Sequence, residues 1–399
     1  MCVAECQHDE VRFWFSFVGG TGHFLPTLPF ARALVERGHD VAYGCQEAMV
    51  ATVQETGLAA FATGGRTLLA PGERRPLVAS DPATEERTLR NFFAGRAARE
   101  RARGTHEAAW AWRPDVIVRD EVDFGAAVAA EALGLPHATI VVIAAGGFVR
   151  PDVVAEPLDD LRRDYGLGPD PGLATPDRYL TLVPVPPSFR GPGYALPPTA
   201  HCVRPAVLGA RSDGELPFTT RLDRPIVYFT LGTIFHQESG DLFSRVLGGV
   251  SALAVEVIVT TGREIDPAEL GKQPSNVHIE RFLPLERILP GCDLVASHGG
   301  SGTVIGALAF GLPGIILPMG ADQYLNAARC SALGVARALD PLTASPEEVG
   351  QLVEEVLREP AYRDAAANIR DEIGRLPSSE HGADLLERLA FERLPIVSI

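Results

Sequence analysis

The run from Asp293 to Gln323, DLVASHGGSGTVIGALAFGLPGIILPMGADQ, concentrates residue types that do chemistry. Apolar Leu294-Val295-Ala296 leads into Ser297-His298 and then Gly299-Gly300-Ser301-Gly302-Thr303, and an apolar, helix-compatible stretch from Val304 to Phe310 comes next. A strand that ends in glycines and feeds a helix gathers free backbone N–H groups and the positive end of the helix dipole at one point. That combination suits a phosphate or diphosphate, and His298 adds a further donor. A second apolar run, Gly314 to Met319, ends in Asp322-Gln323, a carboxylate and an amide suited to gripping hydroxyls. Diphosphate beside hydroxyls describes a nucleotide sugar. Taken alone, the glycine turn also reads as a tight structural turn. A dinucleotide site would need G-x-G-x-x-G and an acidic residue about twenty positions on, which this spacing does not supply.

A second constellation lies near the start. The apolar run Val11 to Val18 passes into Gly19-Gly20-Thr21-Gly22-His23, which puts His23 at a strand's carboxyl end. Imidazole titrates near neutrality and there can take a proton from a hydroxyl; a purely structural histidine is the competing reading. Val116-Ile117-Val118 is followed by Arg119-Asp120-Glu121. In parallel topology the Asp120 carboxylate reaches a histidine on the first strand end, fixing its tautomer and stabilising the imidazolium. Glu121 and Asp123 are fallback partners. Further on, Thr233 closes a strand and offers a hydroxyl and an N–H opposite His298. Phe282 and Leu283 offer an aromatic face and free backbone to a nucleobase edge, with Phe282 as plain core the alternative.

The elements that position these residues alternate strand and helix in two blocks. Such alternation predicts an α/β protein with two Rossmann-like, doubly wound parallel-sheet domains facing across a cleft, with ligands at the strand carboxyl ends. Residues 1–215 are assigned to the first domain and 216–379 to the second, the boundary falling in polar, proline-containing sequence between Ser212 and Arg224. Leu25 to Arg37 reads as one helix and Glu85 to Trp112 as another. The stretches Arg66 to Ser80 and Pro151 to Leu216 read as loops that shape a pocket. The charge runs Arg96 to Arg103 and Arg162-Arg163 read as solvated helix faces.

Composition bounds the rest. At 399 residues, 46% hydrophobic and 22% charged, the chain has material for two cores. No apolar stretch approaches about 18 residues, so no membrane span is expected. The segment MCVAECQHDE lacks the pattern of a secretory signal. The net charge of −15 argues against nucleic-acid binding. Six scattered cysteines fit neither a zinc site nor a disulfide framework, and the expected compartment is a reducing cytoplasm. Basic charge is almost all arginine, as in high-GC bacterial genomes.

Together, GTGHFLPTLPFARALVERGHDV, PDVIVRDE, FLPLERILPGCDLVASHGGSGT and ALAFGLPGIILPMGADQYLNAARC resemble the GT-B glycosyltransferases of family one, in particular the bacterial enzymes that decorate antibiotics. The resemblance covers nearly the whole chain. It implies His23 as general base and Asp120 as its partner. It implies that His298 and Gly299 to Thr303 hold the donor diphosphate with Thr233, and that Asp322 and Gln323 bind the sugar. It further implies inversion at the anomeric carbon, no cofactor and no metal, and a helix near 380–399 that packs back on the first domain. Plant relatives carry a glutamate eight residues after the diphosphate histidine, where it binds the ribose hydroxyls; here that residue is Gly306, which favours a dTDP-sugar over a UDP-sugar. The acceptor pocket is assigned to Phe92, Phe93, Phe148 and Val149, whose apolar character suits a small hydrophobic aglycone, although a packed core would use the same residues. A nucleotide-sugar epimerase, a non-catalytic auxiliary protein and a nicotinamide oxidoreductase are the alternatives. Oligomeric state is left open, a homodimer included.

Overall fold

The computed structural model describes residues 10–65, 73–205, 207 and 223–398. Among these, the strands form two all-parallel sheets. The first contains β1 (Arg12–Ser16), β2 (Asp40–Cys45), β3 (Ala59–Ala62), β4 (Val116–Asp120), β5 (His137–Ile140), β6 (Leu180–Val183) and β7 (Ala200–Cys202), in the order β3-β2-β1-β4-β5-β6-β7. The second contains β8 (Ile226–Thr230), β9 (Glu256–Thr260), β10 (Val277–Glu280), β11 (Leu294–Ser297), β12 (Gly314–Ile316) and β13 (Ala336–Ala338), in the order β10-β9-β8-β11-β12-β13. Each sheet reverses its winding once, between β1 and β4 in the first and between β8 and β11 in the second. The doubly wound α/β expectation is met. The crevice at such a reversal, outside the strand carboxyl ends, is where ligands sit in open α/β sheets.

The central strands read as continuous apolar runs because helices cover both faces. Phe13, Trp14 and Phe15 of β1, and Val116, Ile117 and Val118 of β4, are all fully buried. β1 and β4 pair in register from Phe13 opposite Val116 to Ser16 opposite Arg119, so the segments after the two strands emerge side by side. In the second sheet β8 and β11 pair from Val227 opposite Leu294 to Thr230 opposite Ser297.

The helix Ser379–Glu392 lies on the first domain. Its Ala383, Leu385, Leu386 and Leu389 join the core built on β1, β4 and β6. Arg37 reaches from the first domain to Glu380, Asp384 and Glu387 of this helix, and His39 lies 2.8 Å from Glu387.

Several sequence expectations need correction. The helix expected over Leu25 to Arg37 is shorter, Leu28–Glu36, and a separate one-turn helix, Thr21–Phe24, precedes it with Pro26 between them. The stretch Pro151 to Leu216 is not merely loop, since it holds the helix Pro151–Asp164 and strands β6 and β7. The helix from Glu85 to Trp112 begins at Pro82 and contains a nine-residue π-helical segment, Leu89–Ala97. Two arginines assigned to solvated faces are buried instead. Arg101 is 1% exposed and pairs with Asp123 at 2.7 Å; Arg162 makes two bonds to Glu131 and one to the Gly168 carbonyl. Each has a carboxylate partner, the condition on which a buried charge is tolerated. The assigned boundary at 215/216 and residues 66–72 lie outside the described residues.

Candidate active site

His23 occupies the one-turn helix Thr21–Phe24 directly after β1. Gly19, at φ +117°, lies against its ring: a Cβ there would fall 2.8 Å from the imidazole Cδ2, so the position must be glycine for the ring to sit where it does. His23 Nδ1 lies 3.3 Å from Oδ2 of Asp120, the last residue of β4. Asp120 is fully buried and fixed by backbone amides: Val18 N–H donates to Oδ2 at 2.8 Å, and Val122 and Asp123 N–H donate to Oδ1 at 2.7 and 2.8 Å. Burial lowers the His23 pKa, but the bond to Asp120 and the charges of Asp120, Asp322 and Glu121 outweigh it, and the net direction is upward from 6.5. The side chain keeps 26% exposure, so its other nitrogen remains reachable from the cleft.

The fallback partners have other work. Asp123 caps the helix Phe124–Ala132 through Ala126 N–H and is tied to Arg101 and Ser16. Glu121 accepts the amides of Val142 and Ile143, and burial, opposed by the Arg190 charge, pushes its carboxyl up to about 7.

In the second domain His298 follows β11, and the helix Ser301–Ala309 starts after the N-cap Gly300. Gly299 takes φ +86° to make the turn. The His298 ring is wedged between two glycines: a Cβ at Gly232 would fall 2.5 Å from Cε1, and one at Gly300 would fall 2.5 Å from Nε2. Burial pushes its pKa down to about 4, with the His236 charge acting the same way against a backbone bond at Thr230. His298 is therefore neutral at pH 7. Thr233, just after β8 and beside Gly232, is exposed at the same opening.

Asp322 is brought to the cleft and its charge acts on His23 from the opposite domain. The Gln323 amide oxygen is committed to the N–H groups of Met319 and Gly320, so it shapes the loop before Asp322. Phe282 is 46% exposed, with the Arg263 guanidinium 5.7 Å from its ring centre, and is not the core residue of the alternative reading; Leu283 is buried beneath it. Phe92, Phe93, Phe148 and Val149 do converge, in one apolar cluster with Val18 and Ile143 beside the His23 turn and with Tyr324 of the second domain. Phe148 is buried within that cluster.

Several residues at this cleft escaped sequence reasoning. Glu85 stands against Gly320 from the first domain. Ile234 packs over Gly20, where an added Cβ would lie 3.0 Å away. Asn326 sits four residues after Asp322 on the same helix face, a spacing that would have signalled it. Among the described residues no three His, Cys, Asp or Glu side chains group as a metal site, and no helix is long and apolar enough to cross a membrane.

Comparison with known proteins bears on this geometry. Residues 244–389 match the family model described as the erythromycin biosynthesis protein CIII-like C-terminal domain. The chain is 31% identical to 4'-demethylrebeccamycin synthase of Lentzea aerocolonigenes, over 93% of this chain and 97% of that protein. It is 32% identical to the elloramycin glycosyltransferase of Streptomyces olivaceus, over 92% and 94%. Among solved structures, a spinosyn rhamnosyltransferase complexed with thymidine diphosphate superposes with a TM-score of 0.77 at 25% identity, covering 94% of this chain and 99% of that one.

Proposed function

The chain belongs to the bacterial antibiotic glycosyltransferases of GT-B fold and transfers a sugar to an aglycone, and from that premise we propose a dTDP-deoxysugar donor, a small apolar acceptor and inverting displacement with His23 as base. The same membership sets aside the epimerase, oxidoreductase and auxiliary-protein alternatives. The observation that carries the proposal is the His23–Asp120 pair at one topological reversal, facing Asp322 and the His298 turn at the other.

In this mechanism His23 takes the proton of the acceptor nucleophile while Asp120 steadies the resulting imidazolium. The nucleophile bonds to the anomeric carbon from the face opposite the diphosphate. The carbon–oxygen bond to the diphosphate breaks, and its electron pair leaves with dTDP. Charge developing on the departing oxygen meets the N–H groups at the start of the helix Ser301–Ala309, the neutral His298 and Thr233, which are preorganised donors and require no metal. Asp322 orients the sugar hydroxyls, with the neighbouring loop held by Gln323. Phe282 offers its face to the base.

The dTDP preference is supported by the surroundings of Gly306. A Cβ there would meet Leu289, Leu285 and Val207 at 3.5, 3.7 and 4.0 Å, an apolar setting, and Gly306 itself brings no carboxylate to a 2′-hydroxyl. The relative solved with thymidine diphosphate agrees. The test is thermal stabilisation by dTDP, UDP and NAD in parallel, with and without EDTA. The expected result is a larger shift with dTDP than UDP, none with NAD and no effect of EDTA; a clear UDP preference sinks the donor assignment.

A further inference from the structure

Four consecutive backbone N–H groups, Val142 to Ala145, come after β5, and their acceptors are divided between the two domains. Val142 and Ile143 donate to Oε2 of Glu121, in their own domain, at 2.7 and 3.2 Å. Ala144 donates to the Ser301 hydroxyl at 2.8 Å, and Ala145 donates to Oδ1 of Asn326 at 3.2 Å, both in the second domain. The loop is rigid on its own side. Arg190 holds the Ile143 carbonyl at 3.1 Å and Gly191 N–H holds that of Ala145 at 2.9 Å.

On the far side, Asn326 is completely buried and fully engaged. Its Nδ2 lies 2.9 Å from the Gly299 carbonyl, 3.0 Å from Ser301 Oγ and 2.9 Å from Oδ2 of Asp322. The Ser301 hydroxyl donates to that same Oδ2 at 2.7 Å. One amide side chain thus ties together the loop from the first domain, the glycine turn and the Asp322 carboxylate.

We propose that Asn326 is a positioning residue that makes the alignment of Asp322 depend on closure of the cleft, with the loop 142–145 as the clasp it reads. The hydroxyl of Ser301 belongs to this clasp, and only its backbone N–H remains for the diphosphate. When the cleft opens, Ala144 and Ala145 exchange their partners for water. Ser301 Oγ and Asn326 Oδ1 then lose their bonds to the first domain while keeping those to Asp322, and the joined group with its carboxylate is no longer held at one position opposite His23. Productive geometry is confined to the closed enzyme, which keeps bound donor away from attack by water.

The proposal rests on the glycosyltransferase reading, and the experiment separates the two. Wild type, Asn326→Ala and Ser301→Ala are compared in full-length form. Binding of dTDP is followed by thermal shift, closure by small-angle scattering with and without dTDP, and turnover by steady-state kinetics. Ser301→Ala removes a single hydroxyl and covers the case in which Asn326→Ala does not fold. The expected result is a kcat lowered about tenfold or more with donor KM within about threefold, and loss of dTDP-induced compaction while dTDP still stabilises the protein. Unchanged kcat with intact compaction overturns the clasp, as does a wild-type enzyme that binds dTDP without compacting. Parallel loss of dTDP binding and turnover in the folded variants also overturns it, because the residues would then be ligands or plain structure. A wild type that fails to bind dTDP instead removes the donor reading itself.

Discussion

The two domains each place a histidine beside the reversal of their sheet, on opposite sides of it, and make it into opposite things. His23 follows β1 and His298 follows β11, each beside the reversal of its sheet. His23 has a buried carboxylate at 3.3 Å and more than a quarter of its side chain in the cleft, and its pKa is raised. His298 is packed between Gly232 and Gly300, has no carboxylate partner among the causes of its shift, and is driven down to about 4. The fold supplies the location. The charge next to the ring and the depth of its burial decide whether it carries protons or serves as a fixed neutral donor.

Variants can break this contrast. His23→Ala is expected to lower kcat/KM by on the order of 10³-fold or more, leaving stabilisation by dTDP intact; loss of dTDP binding in this variant would erase the distinction between the two sites. His298→Ala is expected to cost on the order of 10²-fold in kcat and to weaken dTDP stabilisation as well. A full dTDP shift in that variant would remove His298 from the donor site. Asp120→Asn is expected to lower kcat by on the order of a hundredfold or less and to move the acidic limb of the pH–rate profile downward. The sign comes from His23 acting as base: activity rises as the ring deprotonates, so the wild-type limb lies above 6.5 and falls when the Asp120 charge is gone.

Stability offers a finer test, because the two rings act with opposite sign. A histidine with a lowered folded pKa leaves the unfolded chain binding more protons below pH 6.5. The contribution of neutral His298 is therefore present above 6.5 and lost as pH falls toward 4, and His137, pushed to about 3 by burial, behaves the same way. His23, raised by Asp120, stabilises below 6.5 and loses that contribution as pH climbs through its folded value. Folding stability, and the melting temperature with it, is expected to fall between pH 6.5 and 4, with His298 accounting for roughly 3 kcal/mol of the free energy at most. His298→Gln should flatten that slope, and an unchanged slope would deny the ring its burial. The smallest effect is expected from Phe282→Ala, about 1 kcal/mol in donor affinity through a lost stacking face, read as a donor KM raised a few-fold; an unaltered KM removes it from the base site.

The strand-end histidines and the pairing of His23 with Asp120 were legible because they depend on local pattern and one topological rule. The apolar runs of β1, β4, β8 and β11 announce buried parallel strands, and the residues just beyond each strand's carboxyl end must lie at the cleft. The features that stayed hidden depend on partners distant in sequence. Arg101 reads as a surface charge until Asp123 and Ser16 fold against it. The helix Pro151–Asp164 carries prolines at 151 and 157 and so reads as a loop, although its apolar Val153, Val154, Leu158 and Leu161 are buried. The polar clasp crosses from Ala144 to Ser301, and no single stretch of sequence contains both ends.

The return of the chain to the first domain governs how the two halves can be exchanged. Because Leu385, Leu386 and Leu389 complete the core of the first domain, the second domain is joined to the first by two covalent crossings. A chimera cut once, after the first domain, would import a foreign helix into that core and discard the Arg37 and His39 contacts with it. A graft that keeps residues 379–398 native and replaces only the segment between the crossings leaves the first domain whole.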